Sequence, residues 1–361
     1  MFNFAVTASC LILLIGCGPH KSTRQSTIEE ADGIIVVKNT IEPIYKEDIL
    51  VLEEEFTIGA EKDTDEYLFE FISDVTIDSD YNIYVVDNKA CMVRIFTENG
   101  THLRDIGRRG QGPGEFEYPV EIQITSDNEL FVAGFRYIIY FSREGNYKKR
   151  ITVAFNDLRP KLNSQGNIIA RTDILGEKIR WELNKYNMVG EKLNTLVEME
   201  IVRDLDKYDP FSRIIYYTVL PDDSVVWALN KKYELMFINQ KDDLFLRVEK
   251  DYTPIKLRQK SIESIKNNQK KDASRTHIIP KFYPPIRGIF SDDGGRIYVQ
   301  TYEIDSENRF FFDIFSNEGK YLAKVALKGF LACWLKEKLY TIEQDANGYE
   351  YVKCYKVTWK I

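Results

Sequence analysis

The residues best suited to chemistry cluster in Gly107-Arg-Arg-Gly-Gln-Gly-Pro-Gly114. Glycines there expose backbone N–H groups, and Arg108 and Arg109 add charge beside Gln111, a combination able to hold an anion. The stretch lacks the strand–Gly-x-x-x-x-Gly-Lys-Ser/Thr order of a nucleotide-binding loop. The same residues also suit a tight turn between two repeats, since glycine permits backbone paths closed to other residues.

Catalytic constellations are thin. Of three histidines, His20 lies near the N-terminus, His102 falls on a predicted outer strand, and His277 alone sits in a loop. No Cys/His spacing indicates zinc, and no Gly-x-Ser-x-Gly or Ser/His/Asp grouping is present. Turns such as Asp78-Ser-Asp80 and Asp292-Asp293 lack the full ligand spacing of a calcium loop. The sequence therefore assigns no catalytic residue, no metal and no cofactor. A more suggestive set is Tyr118, Tyr216, Tyr217 and Tyr283, each ahead of or within a predicted strand, with Arg287 nearby. Aromatic rings beside charged groups suit a sugar or peptide ligand. The same rings also suit packing between sheets.

What must position these residues is a repeat. Ile77–Val86 and Ile124–Ala133 each comprise a polar turn followed by an apolar strand, 47 residues apart. That period is in the range of a four-stranded propeller blade. Six turn–strand units recur, at Asp78, Thr125, Asn163, Pro221, Ser291 and Lys336. Asp, Asn, Ser and Gly dominate the turns because they accept positive φ or bond their own backbone. A second hairpin follows in most copies, as in Phe96-Thr-Glu-Asn-Gly100 and Phe315-Ser-Asn-Glu-Gly319. The aromatic content of 13% fits many short strands.

The last copy stops at Ile361 one strand short. Glu55-Phe-Thr-Ile-Gly59 resembles Arg104-Asp-Ile-Gly107, and Ile58 precedes Ile77 by 19 residues where Ile106 precedes Ile124 by 18. Residues around 50 to 58 are thus expected to complete blade six, leaving no open sheet edge. Between blades four and five, Thr253 to Ser274 is rich in Lys and Arg and reads as a helix with Leu257, Ile262 and Ile265 on one stripe. Such a helix suits a cap on one face, a partner contact or a plain solvated loop.

Residues 1–17 are a separate unit. Phe4 to Gly16 is almost wholly apolar and ends in Leu14-Ile-Gly-Cys17, although Met1-Phe-Asn-Phe4 carries no positive charge. An apolar run before small residues reads as a secretory signal. Residues 18–32 are polar and suit a flexible tether. The remaining cysteines, Cys91, Cys333 and Cys354, form no disulfide framework and read as buried thiols. A net charge of −7 argues against nucleic acid as a partner.

Leu-x-Gly-Cys resembles a bacterial lipobox, which implies acylation of Cys17. At the Gly-Gln-Gly-Pro-Gly-Glu-Phe connector and the Phe-x-x-x-Gly hairpins, the sequence resembles the six-bladed NHL-like β-propeller lipoproteins of Gram-negative bacteria. The resemblance covers roughly residues 33–361 and is sharpest in the first two blades. It implies an all-β propeller, with an insertion at about 253–280, attached by lipid to the cell envelope and expected at the outer membrane. The expected role is binding or scaffolding, for a glycan, peptide or protein, through Arg108, Arg109, Gln111, Tyr118, Tyr217, His277, Tyr283 and Arg287. The alternative is a propeller hydrolase or lyase with its site at the channel mouth.

Overall fold

The computed structural model describes residues 26–59, 64–174, 179–201, 206–271 and 274–360. Cys17 and the signal-like segment lie outside them. Six antiparallel sheets of four strands form the blades of a propeller, one of them extended by an extra hairpin. Their inner strands are Ile72–Ile77, Pro119–Ile124, Lys161–Leu162, Ile215–Val219, Gly288–Ser291 and Phe330–Leu335. Each is followed by one of the six polar turns read from the sequence.

Two of those turns share one chemistry. Asp78 accepts the Asn82 amide at 2.9 Å and the Tyr84 hydroxyl at 3.0 Å. Four blades later Asp292 accepts the Arg296 amide at 2.8 Å and the Tyr298 hydroxyl at 2.7 Å. The carboxylate closes the turn while the tyrosine ties it to the next strand.

The core consists of six apolar layers, one between each pair of neighbouring blades. The glycine closing each Phe-x-x-x-Gly hairpin makes that packing close. A Cβ on Gly145 would meet Ile106 of blade one at 2.5 Å, and one on Gly319 would meet Val248 of blade four at 2.3 Å. In the same way Gly100 packs on Ile58.

That contact reflects the ring closure. Leu50–Gly59 pairs antiparallel with Glu350–Trp359 along nine residue pairs and supplies the outer strand of blade six. The expectation for residues around 50 to 58 is met, and Ile58 occupies the place in blade six that Ile106 holds in blade one.

The tether expected over residues 18–32 is overturned for residues 26–32, while residues 18–25 lie outside the described residues. Ser26–Ala31 and Ile34–Asn39 form a hairpin whose second strand pairs in parallel with Leu244–Lys250, the outer strand of blade four. Val36 and Val37 are buried, so this polar-looking segment is fixed by two apolar anchors. The chain then crosses blade five. Asn39 accepts the Tyr321 amide and donates to the Gly319 carbonyl, both at 2.9 Å. The Ile44 and Tyr45 amides donate to the Tyr321 and Leu322 carbonyls. Residues 26–59 thus form a belt over the rims of blades four, five and six.

The expected helix is Gln259–Lys271. Leu257 and Ile265 are buried against Tyr283, with Ile262, Phe211 and Tyr302 packed around them. Cys91, Cys333 and Cys354 are buried free thiols, and burial raises each thiol's pKa.

Candidate functional site: the hub channel

Inner strands that run side by side around an axis bring corresponding residues into one layer. Counting back four residues from the residue whose amide closes each turn, namely Asp78, Thr125, Asn163, Leu220 and Asp292, gives Asp74, Glu121, Arg159, Tyr216 and Gly288 in blades one to five. All five line a central cavity of about 820 Å³. Its chemistry follows from what that layer places together.

On one side the layer forms a closed ionic network. Glu121 is 1% exposed and is held by Arg159 at 3.2 Å and by the Lys161 ammonium. Arg159 also reaches Asp74 at 4.0 Å and donates to the Ser73 carbonyl at 2.8 Å. Asp74 accepts the Ile122 amide of the next blade at 2.9 Å. Burial, reinforced by the charge of Glu121, pushes the Asp74 carboxyl up to about 8. Asp157 is equally committed: it accepts the Tyr217 hydroxyl at 2.6 Å, the Arg171 amide at 2.8 Å and the Arg159 amide at 3.1 Å. These groups bind one blade to the next.

The opposite side is unlike it. At blade five the layer position is Gly288, which contributes no side chain, and Arg287 stands beside it. The guanidinium lies 3.8 Å from the Phe310 ring centroid and 5.7 Å from that of Tyr302. No carboxylate among the described residues lies within ion-pair reach of it. Its Nη1 is buried without a hydrogen-bond partner. Burial accordingly lowers the Arg287 pKa. The Tyr216 hydroxyl makes no hydrogen bond to the described protein, and burial raises its pKa between the flanking charges of Arg287 and Arg171.

Three aromatic rings from blades six, one and two stand at one end of the channel. Phe71 and Tyr118 each stand one residue before an inner strand, and Phe330 opens one. They are 40%, 49% and 39% exposed, high values for large rings on a cavity lining. Arg287 also stands one residue before its inner strand, so the charge sits at the same end as the rings.

The sequence-derived candidates divide sharply. Tyr118, Tyr216, Tyr217 and Arg287 all line the channel. Tyr217 does so with its hydroxyl already committed to Asp157. Tyr283 is not on the lining: it lies under the helix, 5% exposed, stacked on Tyr302 at 4.6 Å and bonded through its hydroxyl to Ser261 at 2.5 Å. It is five residues from the strand start, too far back to reach the hub. His277 is also off the lining, packed on Tyr208 at 4.8 Å in a two-stranded parallel sheet.

Arg108, Arg109 and Gln111 stay in the connector, outside the channel lining. The Glu115 carboxylate takes the place expected of an external anion, accepting the Gly112 amide at 2.9 Å and pairing with Arg108 at 2.8 Å. These donors hold the Glu115 pKa below the usual carboxylate range. Arg109 donates to the Lys89 carbonyl at 2.5 Å, and Gln111 to Glu117 at 2.6 Å. A Cβ on Gly107, at φ +79°, would lie 2.1 Å from the buried Phe116 ring, which explains the glycine as a packing requirement.

Asp74, Glu121, Arg159, Phe71 and Phe330 were missed. A signal existed for three of them. Phe71 and Tyr118, like Asp74 and Glu121, are related by the 47-residue period already visible in the first two blades.

The comparisons agree with this architecture. Residues 61–202 match the family DUF5128, described as a 6-bladed beta-propeller. No curated protein matches the chain. A solved protein of the duf4221 family from Bacteroides vulgatus is similar over 87% of this chain and 100% of its own, with TM-score 0.54 and 12% identity. A Bacteroides fragilis protein whose name marks it as exported is similar over 90% of this chain and 99% of its own, with TM-score 0.53 and 9% identity. At such identities the likeness speaks for the fold alone. The chain is a six-bladed β-propeller, with the family match falling on its first three blades.

Proposed function

We propose that this propeller is a ligand-binding module of the cell envelope, taking part of a glycan, a peptide or a protein partner into the aromatic-rimmed hub channel. The observation that carries the reading is the juxtaposition of three exposed rings, Phe71, Tyr118 and Phe330, with the unpartnered Arg287 and Tyr216 on one cavity. Rings supply stacking area while a few unpaired polar groups fix orientation, which is the ordinary composition of a ligand site. The Leu14-Ile-Gly-Cys17 segment supports export and attachment through an acylated Cys17, with the outer membrane as destination. Neither a metal nor a cofactor enters this reading, and the acidic net charge of −7 disfavours nucleic acid.

The test is a panel of neutral and charged oligosaccharides and short peptides read by fluorescence of a Tyr118→Trp variant and by thermal shift. A true ligand at a hundred times its Kd raises stability by about 2.7 kcal/mol. A panel that moves neither signal counts against the channel as a binding site. Cys17→Ser is expected to release the protein from membranes, and unchanged retention would count against the anchor.

One observation favours an enzymatic reading. Asp74, pushed up to about 8, keeps a carboxylic proton on the channel wall at neutral pH, as a general acid must. A hydrolase or lyase would then turn over the bound ligand and lose that activity in Asp74→Asn. The binding reading is preferred because every carboxylate on the lining is already held by neighbouring donors.

A further inference from the structure

Resting on the reading of the channel as a binding site, we infer that its ligand presents a carboxylate, which Arg287 receives with help from Tyr216 and Gln300. Three observations converge. First, the charged residues of the lining are Arg159, Lys161, Arg171 and Arg287 against Asp74, Glu121 and Asp157, so the channel is cationic within an acidic protein. Arg159 and Lys161 are taken up by Glu121, and Arg171 contacts Asp173 at 3.3 Å, leaving Arg287 as the cation of the lining with no ion-pair partner among the described residues.

Second, the surroundings hold Arg287 without neutralising it. Phe310 and Tyr302 lie against the guanidinium, and Tyr302 is itself held by stacking on Tyr283. Arg258 donates to the Tyr302 carbonyl at 3.2 Å, while Ser261 at the start of the helix bonds Tyr283. The helical insertion thus buttresses the Arg287 shelf from behind. A guanidinium kept flat on a ring retains its in-plane N–H groups for a planar, bidentate partner, which is the geometry of a carboxylate.

Third, the groups beside it are matched donors with vacant capacity. The Arg287 amide bonds the Gln300 backbone carbonyl at 2.8 Å, and both residues belong to the same cavity lining. Neither the Gln300 amide nor the Tyr216 hydroxyl has a partner among the described residues. Gly288 adds no side chain to the wall here, and a Cβ on it would stand 3.1 Å from the Phe290 ring and 3.6 Å from the Gln300 side-chain oxygen, so Gln300 flanks this point of the lining. A buried cation with an unpaired N–H costs free energy, and an incoming anion removes that cost.

Two ligand sources carry this group: an acidic sugar and a peptide C-terminus. The experiment therefore titrates trigalacturonic acid, its neutral methyl ester, Gly-Gly-Tyr and C-terminally amidated Gly-Gly-Tyr into the folded chain, into Arg287→Met and into Arg287→Lys. The expected result is that one acid binds about 10- to 100-fold more tightly than its neutral counterpart, and that Arg287→Met erases this preference. Arg287→Lys should restore part of it, because charge returns without the bidentate geometry. Whichever acid responds identifies the source. Equal binding of acid and neutral form, a preference that survives Arg287→Met, or no binding of either acid would each overturn the inference. A Tyr118→Trp response to any neutral oligosaccharide or peptide would still uphold the channel as a binding site, so the two readings fail separately.

Discussion

The two sides of the hub channel are built from the same strand position and use charge in opposite ways. At blades one to three the layer reads Asp74, Glu121 and Arg159, and these side chains satisfy one another across blade boundaries. At blades four and five it reads Tyr216 and Gly288, with Arg287 alongside and no acid among the described residues to meet it. The first side spends its charge on holding blades together. The second keeps a cation desolvated and unpaired, which a fold does not need for its own stability. The contrast teaches that polar residues on a propeller axis are not one functional class. Whether a charge is answered from within the ring separates mortar from site.

The comparison presupposes a closed ring, and the largest effect comes from opening it. Deleting Leu50–Gly59 strips the outer strand from Glu350–Trp359 and exposes a sheet edge along its whole length. The expected outcome is aggregation or loss of a cooperative unfolding transition, read by calorimetry and light scattering. A soluble, cooperatively melting deletion variant would contradict the closure. Removing the hairpin Ser26–Asn39 should cost far less, since blade four retains its own four strands without it.

Next in size is Glu121→Ala. It leaves Arg159 and Lys161 facing each other without their shared carboxylate. A loss of about 3 kcal/mol is expected, the lower end for breaking a buried pair, because both cations keep some solvent contact. Chemical denaturation measures it. A loss below 0.5 kcal/mol, as for an ordinary surface site, would remove the structural role assigned to this wall.

Asp74→Asn sharpens the same side through pH. The folded-state carboxyl titrates at about 8, well above its ordinary value near 4. The unfolded chain therefore releases its proton first, and this residue's contribution to stability declines as pH rises from about 4 to 8. Asparagine keeps an oxygen for the Ile122 amide but does not titrate. Between pH 5 and 8 the variant should gain on the parent by on the order of 4 kcal/mol, seen as diverging melting temperatures. A constant gap across that range would mean Asp74 is ionised throughout.

The smallest stability effect belongs to the other wall. Arg287→Met keeps an apolar stem over Phe310 and removes a cation that pairs with no acid among the described residues, so stability should hold or rise, with any loss below about 0.5 kcal/mol. A loss as large as that of Glu121→Ala would erase the distinction between the two sides.

Much of the fold was legible in the chain. The Asp/Asn turns and Phe-x-x-x-Gly hairpins are local signals, and the 18- and 19-residue phase of Ile106 and Ile58 placed the closing strand. The belt was not legible. A parallel pairing of Ile34–Asn39 with Leu244–Lys250 joins segments 210 residues apart and leaves no turn or spacing as a trace. Tyr118, Tyr216, Tyr217 and Arg287 were found by their position ahead of or on inner strands. Tyr283 was misplaced by the same rule, because distance from the strand decides whether such a residue reaches the axis. The acidic pair was hidden in plain repetition: Asp74 and Glu121 sit one period apart, but only the ring reveals that Arg159 stands beside them. The glycine-rich connector drew attention through its composition, while its Glu115 neighbour, which takes up the donors, lies just beyond the glycines.

The measurement that bears most directly on the two-wall account is arginine side-chain NMR with 15Nε labelling, each signal assigned by single substitution, during titration with trigalacturonic acid and with Gly-Gly-Tyr. The account predicts that the Arg287 Nε–H signal shifts with a saturating acid titration while the Arg159 signal stays in place, already held by Glu121. Movement of Arg159 with Arg287 unperturbed would contradict it, since the cation bound within the ring would then be the one that meets the ligand.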